Sequence, residues 1–181
     1  YLKEIFSLLF PEFSNIKRLD RLKNIFRNSK LNLKQILAVL LIDDDDNHEY
    51  FLHKYNVSND IKDELNLLAK NLKMLNNNRD LFNKDLEKYI YLNGKNHLNN
   101  LNILYLSSSS KWGLKNFLET SRKIQKSKIH KFPFNGKFLM DLGMKEGVLL
   151  GKVLKKVEEE WLNNKFKISN NRVKEIIKIN S

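Results

Sequence analysis

Apolar residues recur at steps of three and four along nearly all of this 181-residue chain, and only six glycines and two prolines interrupt them. That spacing gathers them on one face of a helix with 3.6 residues per turn. No segment alternates with the period of two that a half-buried strand needs. The sequence is therefore expected to fold as all-α, with about nine or ten helices joined by short links. Ile5, Leu8 and Leu9 form a first stripe, ended by Pro11. Phe13, Ile16, Leu19, Leu22, Ile25 and Phe26 form a second. Leu33, Ile36, Leu37, Leu40 and Leu41 form a third, stopped by the run Asp43 to Asp46. Ser58 is placed to cap a helix carrying Ile61, Leu65, Leu68, Leu72 and Leu75. Asp80 is expected to cap another with Leu81, Phe82, Leu86, Tyr89 and Ile90. Gly94 should interrupt that helix before Leu98, Leu101, Leu104 and Tyr105, and Ser107 to Ser110 should break it.

Composition removes several classes of function. A 41% hydrophobic content supplies a core, so wholesale disorder is excluded. The chain has no cysteine, which excludes a disulfide scaffold and any thiolate metal site. The longest apolar run, Ile36 to Ile42, is far short of the roughly 20 residues of a membrane span, and no signal-like segment opens the sequence. No membrane partner is expected. The chain begins at Tyr1 rather than Met and is expected to be a cut from something longer or a chain missing its first residues.

The character of the sequence changes near residue 130. Pro133 biases Phe132 away from the helical region, which makes Lys131 to Gly136 an extended linker. Five of the six glycines lie between Trp112 and Lys152. The expected division is a helical body over 1–130 and a small helical tail over 131–181. Charge is uneven as well. The chain carries 33 Lys and Arg against 21 Asp and Glu, a net charge of +12. Lys111 to Lys156 holds twelve basic residues against three acidic ones, so most of the excess sits in one quarter of the length. Such a stripe is the electrostatic footprint of a polyanion site. The expected contacts are Lys123, Lys126, Lys128 and Lys131 before or at the start of the linker. Beyond it they are Lys137, Lys145, Lys152, Lys155 and Lys156. Their role would be electrostatic positioning, and none would be catalytic.

Residues 133–154 read as a short helix, a tight turn and a longer helix. Asn135 can cap the first. Gly143 suits the left-handed position after its end, with Met144 as hydrophobic contact. Gly147 opens the next helix, and Gly151 lies one turn on. The pair Gly147 and Gly151 would admit another backbone at close range, and free N–H groups at the helix start would receive a phosphate.

This segment resembles the C-terminal region of the bacterial tRNA nucleotidyltransferase (CCA-adding enzyme) and poly(A) polymerase family. The family pattern there is G-x-D-L-M-x-L-G-(I/L)-x-P-G-P-x-(I/V)-G-x-x-L, and Gly136, Leu139, Met140, Leu142, Gly143, Gly147, Gly151 and Leu154 match in register. Glu159 to Phe166 is similar to its closing E-x-W-L-x-x-x-F, and Asn170 to Ile177 would be its last helix. Val57 to Asp60 and Tyr91 to Lys95 are similar to earlier elements. The strong match covers about thirty residues, and weak likeness extends over nearly the whole chain. Phe138 departs from the family's Asp, and Glu146 and Val148 from its two prolines.

The resemblance implies an RNA-holding body and tail whose partner is tRNA or another structured RNA, in the cytoplasm. In this family a separate head adds nucleotides to an RNA 3′ end, using nucleoside triphosphate and Mg2+ held by an Asp-x-Asp pair. Neither that head nor the neck's Glu-Asp-x-x-Arg pattern occurs here. The intact protein would be an enzyme, while this chain would carry no catalytic residue, metal or cofactor of its own. Asp43 to Asp46 has Asp-x-Asp spacing but no preceding strand or Gly-Ser turn, and is read as a surface turn. His48, His53, His97 and His130 contain neither a His-Asp pair nor an i, i+4 pair, so no metal site is expected. Ser107 to Ser110 lacks a His partner and is read as a helix-start cap. Gly94-Lys95 lacks the other P-loop glycines. Trp112, Trp161 and Tyr105 lie on apolar stripes and are assigned to the core rather than to base stacking. Two other readings stay open: a stand-alone module gripping nucleic-acid backbones without sequence preference, and a non-binding remnant of a split enzyme.

Overall fold

The computed structural model describes residues 2–23, 25–26, 30–43 and 45–180. These residues form ten α-helices, a 3-10 turn and no strand, the all-α architecture that the apolar spacing requires. The chain separates into two compact units, Tyr1–Ser127 and Lys128–Ser181, against the boundary expected at 130/131.

The first unit contains α1 (Leu2–Leu9), α2 (Lys17–Lys23), α3 (Leu33–Leu41), α4 (Asn47–Lys54), α5 (Asn59–Asn77), the 3-10 turn (Arg79–Phe82), α6 (Leu86–Ser108) and α7 (Leu114–Lys126). Its centre is α3 against α6. From Leu37 to Ile42 every residue is buried, because a helix apolar on all sides is stable only when surrounded. A capping box starts α3: Asn32 Oδ1 accepts from Gln35 N and Gln35 Oε1 from Asn32 N, each at 2.9 Å. Helix α6 packs on α7, α3, α5 and α2. Gly94 interrupts it as expected, with φ +80° and ψ 159° inside an otherwise helical run.

Several expectations need correction. The stripe of α1 stays outside the core: Ile5, Leu8 and Leu9 are exposed, since Pro11 ends the helix before the chain enters the core at Glu12 and Phe13. The second stripe is helical only over Lys17–Lys23, and Phe13, Ile16, Ile25 and Phe26 pack from its flanks. Asp80 does not cap α6. Asn78 caps the 3-10 turn, accepting from Asp80 N at 2.9 Å, and α6 begins only at Leu86. Ser107 and Ser108 do not start a helix but end one, each hydroxyl donating to Leu104 O. Helix α4 has no apolar stripe to announce it, because only His48 and Phe51 are buried. Asp44 of the acidic run lies outside the described residues. Asp43 is more than a surface turn: its Oδ2 accepts from Asn15 and Asn47 amides at 2.7 Å, tying the loop before α2 to the start of α4.

The half of α6 after Gly94 buries polar side chains along with apolar ones. His97 lies 3.0 Å (Nδ1) from Glu64 Oε2 and 2.9 Å (Nε2) from the Asn71 amide nitrogen. The tautomer with its proton on Nδ1 satisfies both contacts. Asn100 donates to Glu64 Oε1 at 2.7 Å and accepts from Gln35 at 2.9 Å. Asn102, wholly buried, donates to Phe117 O and Ser121 Oγ and accepts from Trp112 Nε1, all at 3.0 Å. Burial pushes the Glu64 carboxyl up. Hydrogen bonds from His97 and Asn100 outweigh this and leave it below its ordinary value of 4.5.

Two predictions follow from this network. Asn102→Leu keeps the shape but strands the Trp112 indole N–H, so urea unfolding is expected to show a loss of about 1–3 kcal/mol. The lowered Glu64 carboxyl contributes stability that is fully present above about pH 5 and lost as pH falls through its folded value. Glu64→Gln should therefore melt lower at neutral pH and show a shallower acid limb, read from melting temperatures across pH 3–7. An acid limb as steep as the parent's would show that Glu64 takes no part in it.

Candidate nucleic-acid interface

The second unit contains α8 (Gly136–Asp141), α9 (Val148–Asn163) and α10 (Asn170–Asn180). Leu139, Met144, Val153, Val157, Val173, Ile176 and Ile177 form its buried core. Asn135 Oδ1 accepts from Phe138 N at 3.0 Å, the expected cap of α8. The helix ends in a Schellman turn. Gly143 N donates to Met140 O at 2.8 Å and Met144 N to Leu139 O at 3.2 Å, with Gly143 at φ +97°. Leu139 and Met144 close the turn with a buried apolar contact. This part of the motif folds as the spacing predicts.

The close backbone approach expected at Gly147 and Gly151 is not found among the described residues. A Cβ added at either meets nothing within 4 Å, so no backbone packs against them. Close approach occurs at Gly136 instead, where a Cβ would lie 3.2 Å from Leu150 Cδ2, bringing α8 against α9. Gly147 opens α9 at φ +145°, no side chain caps that helix, and Val148 in its first turn is 79% exposed. The start of α9 thus presents bare N–H groups and a glycine-thinned surface.

An aromatic chain fixes the linker to this unit. His130 stacks on Phe166 at 3.7 Å, Phe166 meets Trp161 edge-on at 4.9 Å, and Trp161 meets Phe132 at 5.3 Å. Phe134 continues it between Phe132 and Phe138. Lys165 and Phe166, at φ +54° and +61°, turn the chain back after α9, with Phe166 N donating to Trp161 O at 2.8 Å. Trp161 is buried here, and Trp112 and Tyr105 are buried against Phe82 in the first unit. All three are core residues, with no face free for a base.

Each expected lysine is exposed: Lys123 and Lys126 on α7, Lys128 and Lys131 in the linker, Lys137 on α8, Lys145 in the turn, and Lys152, Lys155 and Lys156 on α9. Lys156 donates to Asn180 Oδ1. None of the nine joins an ion pair among the described residues, whereas Lys23, Lys34, Lys54, Lys73 and Lys84 all have carboxylates. Arg172, which the sequence reading left out, is not free to bind a ligand. It donates from Nε and Nη2 to the two oxygens of Glu160, at 2.6 and 3.0 Å, and from Nη1 to Glu175. Those bonds hold the Glu160 carboxyl below its ordinary value. Among the described residues no three metal-ligating side chains come together, and no helix is long and apolar enough to cross a membrane. Compared with family models, curated proteins and solved structures, the chain finds no match.

The two glycines should respond oppositely to alanine. Gly143→Ala forces a Cβ into a left-handed turn and should destabilise the second unit by about 1–2 kcal/mol. Gly151→Ala fills open space in a helix and should stabilise it by about 0.5–1 kcal/mol. Hydrogen exchange of the α9 amides measures both. Slower exchange in Gly143→Ala, or faster exchange in Gly151→Ala, would contradict the geometry.

Proposed function

We propose that this chain is the RNA-holding part of a template-independent tRNA nucleotidyltransferase or poly(A) polymerase. Its tail grips phosphates of tRNA or a similar structured RNA, while nucleotide addition, with Mg2+ and nucleoside triphosphate, belongs to a catalytic head that these residues do not supply. The observation that carries the reading is the density of cations along Lys111 to Lys156, twelve basic residues against three acidic ones, with no ion pair among the described residues. Five lysines outside it, Lys23, Lys34, Lys54, Lys73 and Lys84, have carboxylates beside them, whereas no lysine of this stretch does among the described residues. Such an arrangement is unfavourable for folding and favourable for a polyanion.

The α9 helix supports the same reading. Lys145 precedes it and Lys152, Lys155 and Lys156 lie in its first two and a half turns, while Glu158, Glu159 and Glu160 lie toward its end. The helix dipole disfavours Glu160, in the last turn, by about 0.3–1 kcal/mol. A phosphate at the uncapped, glycine-flanked start of α9 would receive N–H groups and lysines together. Recognition of this kind reads A-form RNA by backbone and shape, and needs no stacking aromatic.

Replacing Lys145, Lys152, Lys155 and Lys156 with Gln should weaken tRNA binding and reduce the slope of log K against log salt by about 2–4, near one unit per lost phosphate contact. A slope and affinity equal to the parent's would remove the tail from the interface. Duplex DNA bound as tightly as tRNA would assign instead a general backbone-gripping hairpin.

A further inference from the structure

A second cationic site lies in the first unit, outside the basic stretch. Helices α4 and α5 flank a groove of about 560 Å³ lined by Lys62, Lys70, Lys73, His48 and His53, with Leu52 and Ala69 as apolar floor. The spacing of Lys62, Ala69, Lys70 and Lys73 puts them on one face of α5. Glu49 is the one carboxylate among the lining residues. Lys62 and Lys70 have no ion-pair partner among the described residues, and Lys73 reaches Asp46 only at 4.0 Å. His48 is 3% exposed, and its buried Nδ1 has no hydrogen-bond partner among the described residues. A buried ring nitrogen left unpaired in this way calls for an explanation, and an anionic acceptor drawn into the cationic groove beside it would provide one. Burial holds the His48 imidazole below its ordinary value, although Glu49 and Asp46 pull the other way. With its hydrogen on Nδ1 the neutral ring is a donor without an acceptor, and with it on Nε2 the unpaired Nδ1 is an acceptor.

We propose that the groove between α4 and α5 binds a phosphate monoester or diester, held by Lys62, Lys70, Lys73 and the His48 imidazole. A phosphate suits this set because its oxygens accept from several ammonium groups and an N–H at once, where a carboxylate offers only two oxygens. The groove is larger than one phosphate needs and falls in the size range of ligand pockets. Leu52 and Ala69 are therefore positioned for the group the phosphate is attached to. The site is independent of the tail reading, since none of its residues belongs to Lys111 to Lys156.

The test is titration of the full chain with inorganic pyrophosphate at about 50 mM salt, where surface charge is little screened. Calorimetry reads affinity and the imidazole proton resonances read His48. Saturable binding that shifts the His48 resonance is expected, weakened about tenfold or more in Lys62→Gln/Lys70→Gln. Lys70 is exposed and Lys62 half-buried, and an unchanged melting temperature establishes that the variant is folded. No saturable shift at His48, or equal affinity in the variant, overturns the proposal. Adding tRNA then identifies the source. Displacement of pyrophosphate shows that the groove takes an RNA backbone phosphate, and retention shows that it takes a small phosphate ester. The tail variant with four Gln should bind pyrophosphate at His48 like the parent, so failure of the tail reading leaves this result intact.

Discussion

From His97 to Ser107 helix α6 is buried almost without interruption, and the polar side chains it carries inward must find partners in the protein. An unpaired buried donor or acceptor costs about 1–3 kcal/mol, a large part of what holds a small unit together. His97, Asn100 and Asn102 each meet this demand on a different side. His97 reaches Asn71 and Glu64 on α5, Asn100 reaches Gln35 on α3, and Asn102 reaches α7 and the Trp112 indole. Apolar packing would tolerate small slides of these helices, whereas the hydrogen bonds do not. The polar side of α6 therefore sets the register of the first unit, and Leu98, Leu101 and Leu104 supply the burial that register makes available.

The second unit is held differently. It is short, its core residues are few, and two backbone turns with positive φ close its helices. Gly143 makes one of them without strain. Lys165 and Phe166 make the other against the preference of side-chain-bearing residues. The aromatic chain from His130 through Phe166 and Trp161 to Phe132 packs over that turn and holds it. Because His130 and Phe132 belong to the linker, the same contacts order the segment before α8. Lys131 and Lys137 thus sit on backbone anchored by Trp161 and Asn135.

The helical class, the kink at Gly94, the Asn135 cap and the Gly143 turn were legible because each rests on one local rule: apolar period, missing Cβ, capping side chain. What the sequence concealed depended on contacts distant in the chain. Helix α4 buries only two side chains and so has no stripe. The stripe of α1 has the right period and no partner in the core. Gly147 and Gly151 have the spacing of a helix-crossing motif, yet the close contact belongs to Gly136, through a leucine on another helix. The lysines were legible as a cluster. Their lack of carboxylate partners was not, because pairing depends on what folding brings near. The α4–α5 groove escaped for the same reason: its histidines lie nine to twenty-five positions from its lysines, in pairs that carry no motif.

Those unpaired lysines bear on why this sequence keeps features that folding alone would remove. Gly151 occupies a helix interior with open space around it, where alanine would be more favourable by about 0.5–1 kcal/mol. Gly147 holds the N-cap of α9, where Ser or Asp would satisfy an N–H, and Val148 after it is exposed. Glu160 stands in the last turn of α9, against the dipole, and is steadied by Arg172. Each is a small local loss, and three of the expected lysines stand on that same helix. Local choices that disagree with the fold are expected at functional sites. A phosphate at the start of α9 would reverse the sign of two of them at once, occupying the free N–H groups and approaching over the missing Cβ. On the proposed reading, these losses fall where an anionic ligand would sit.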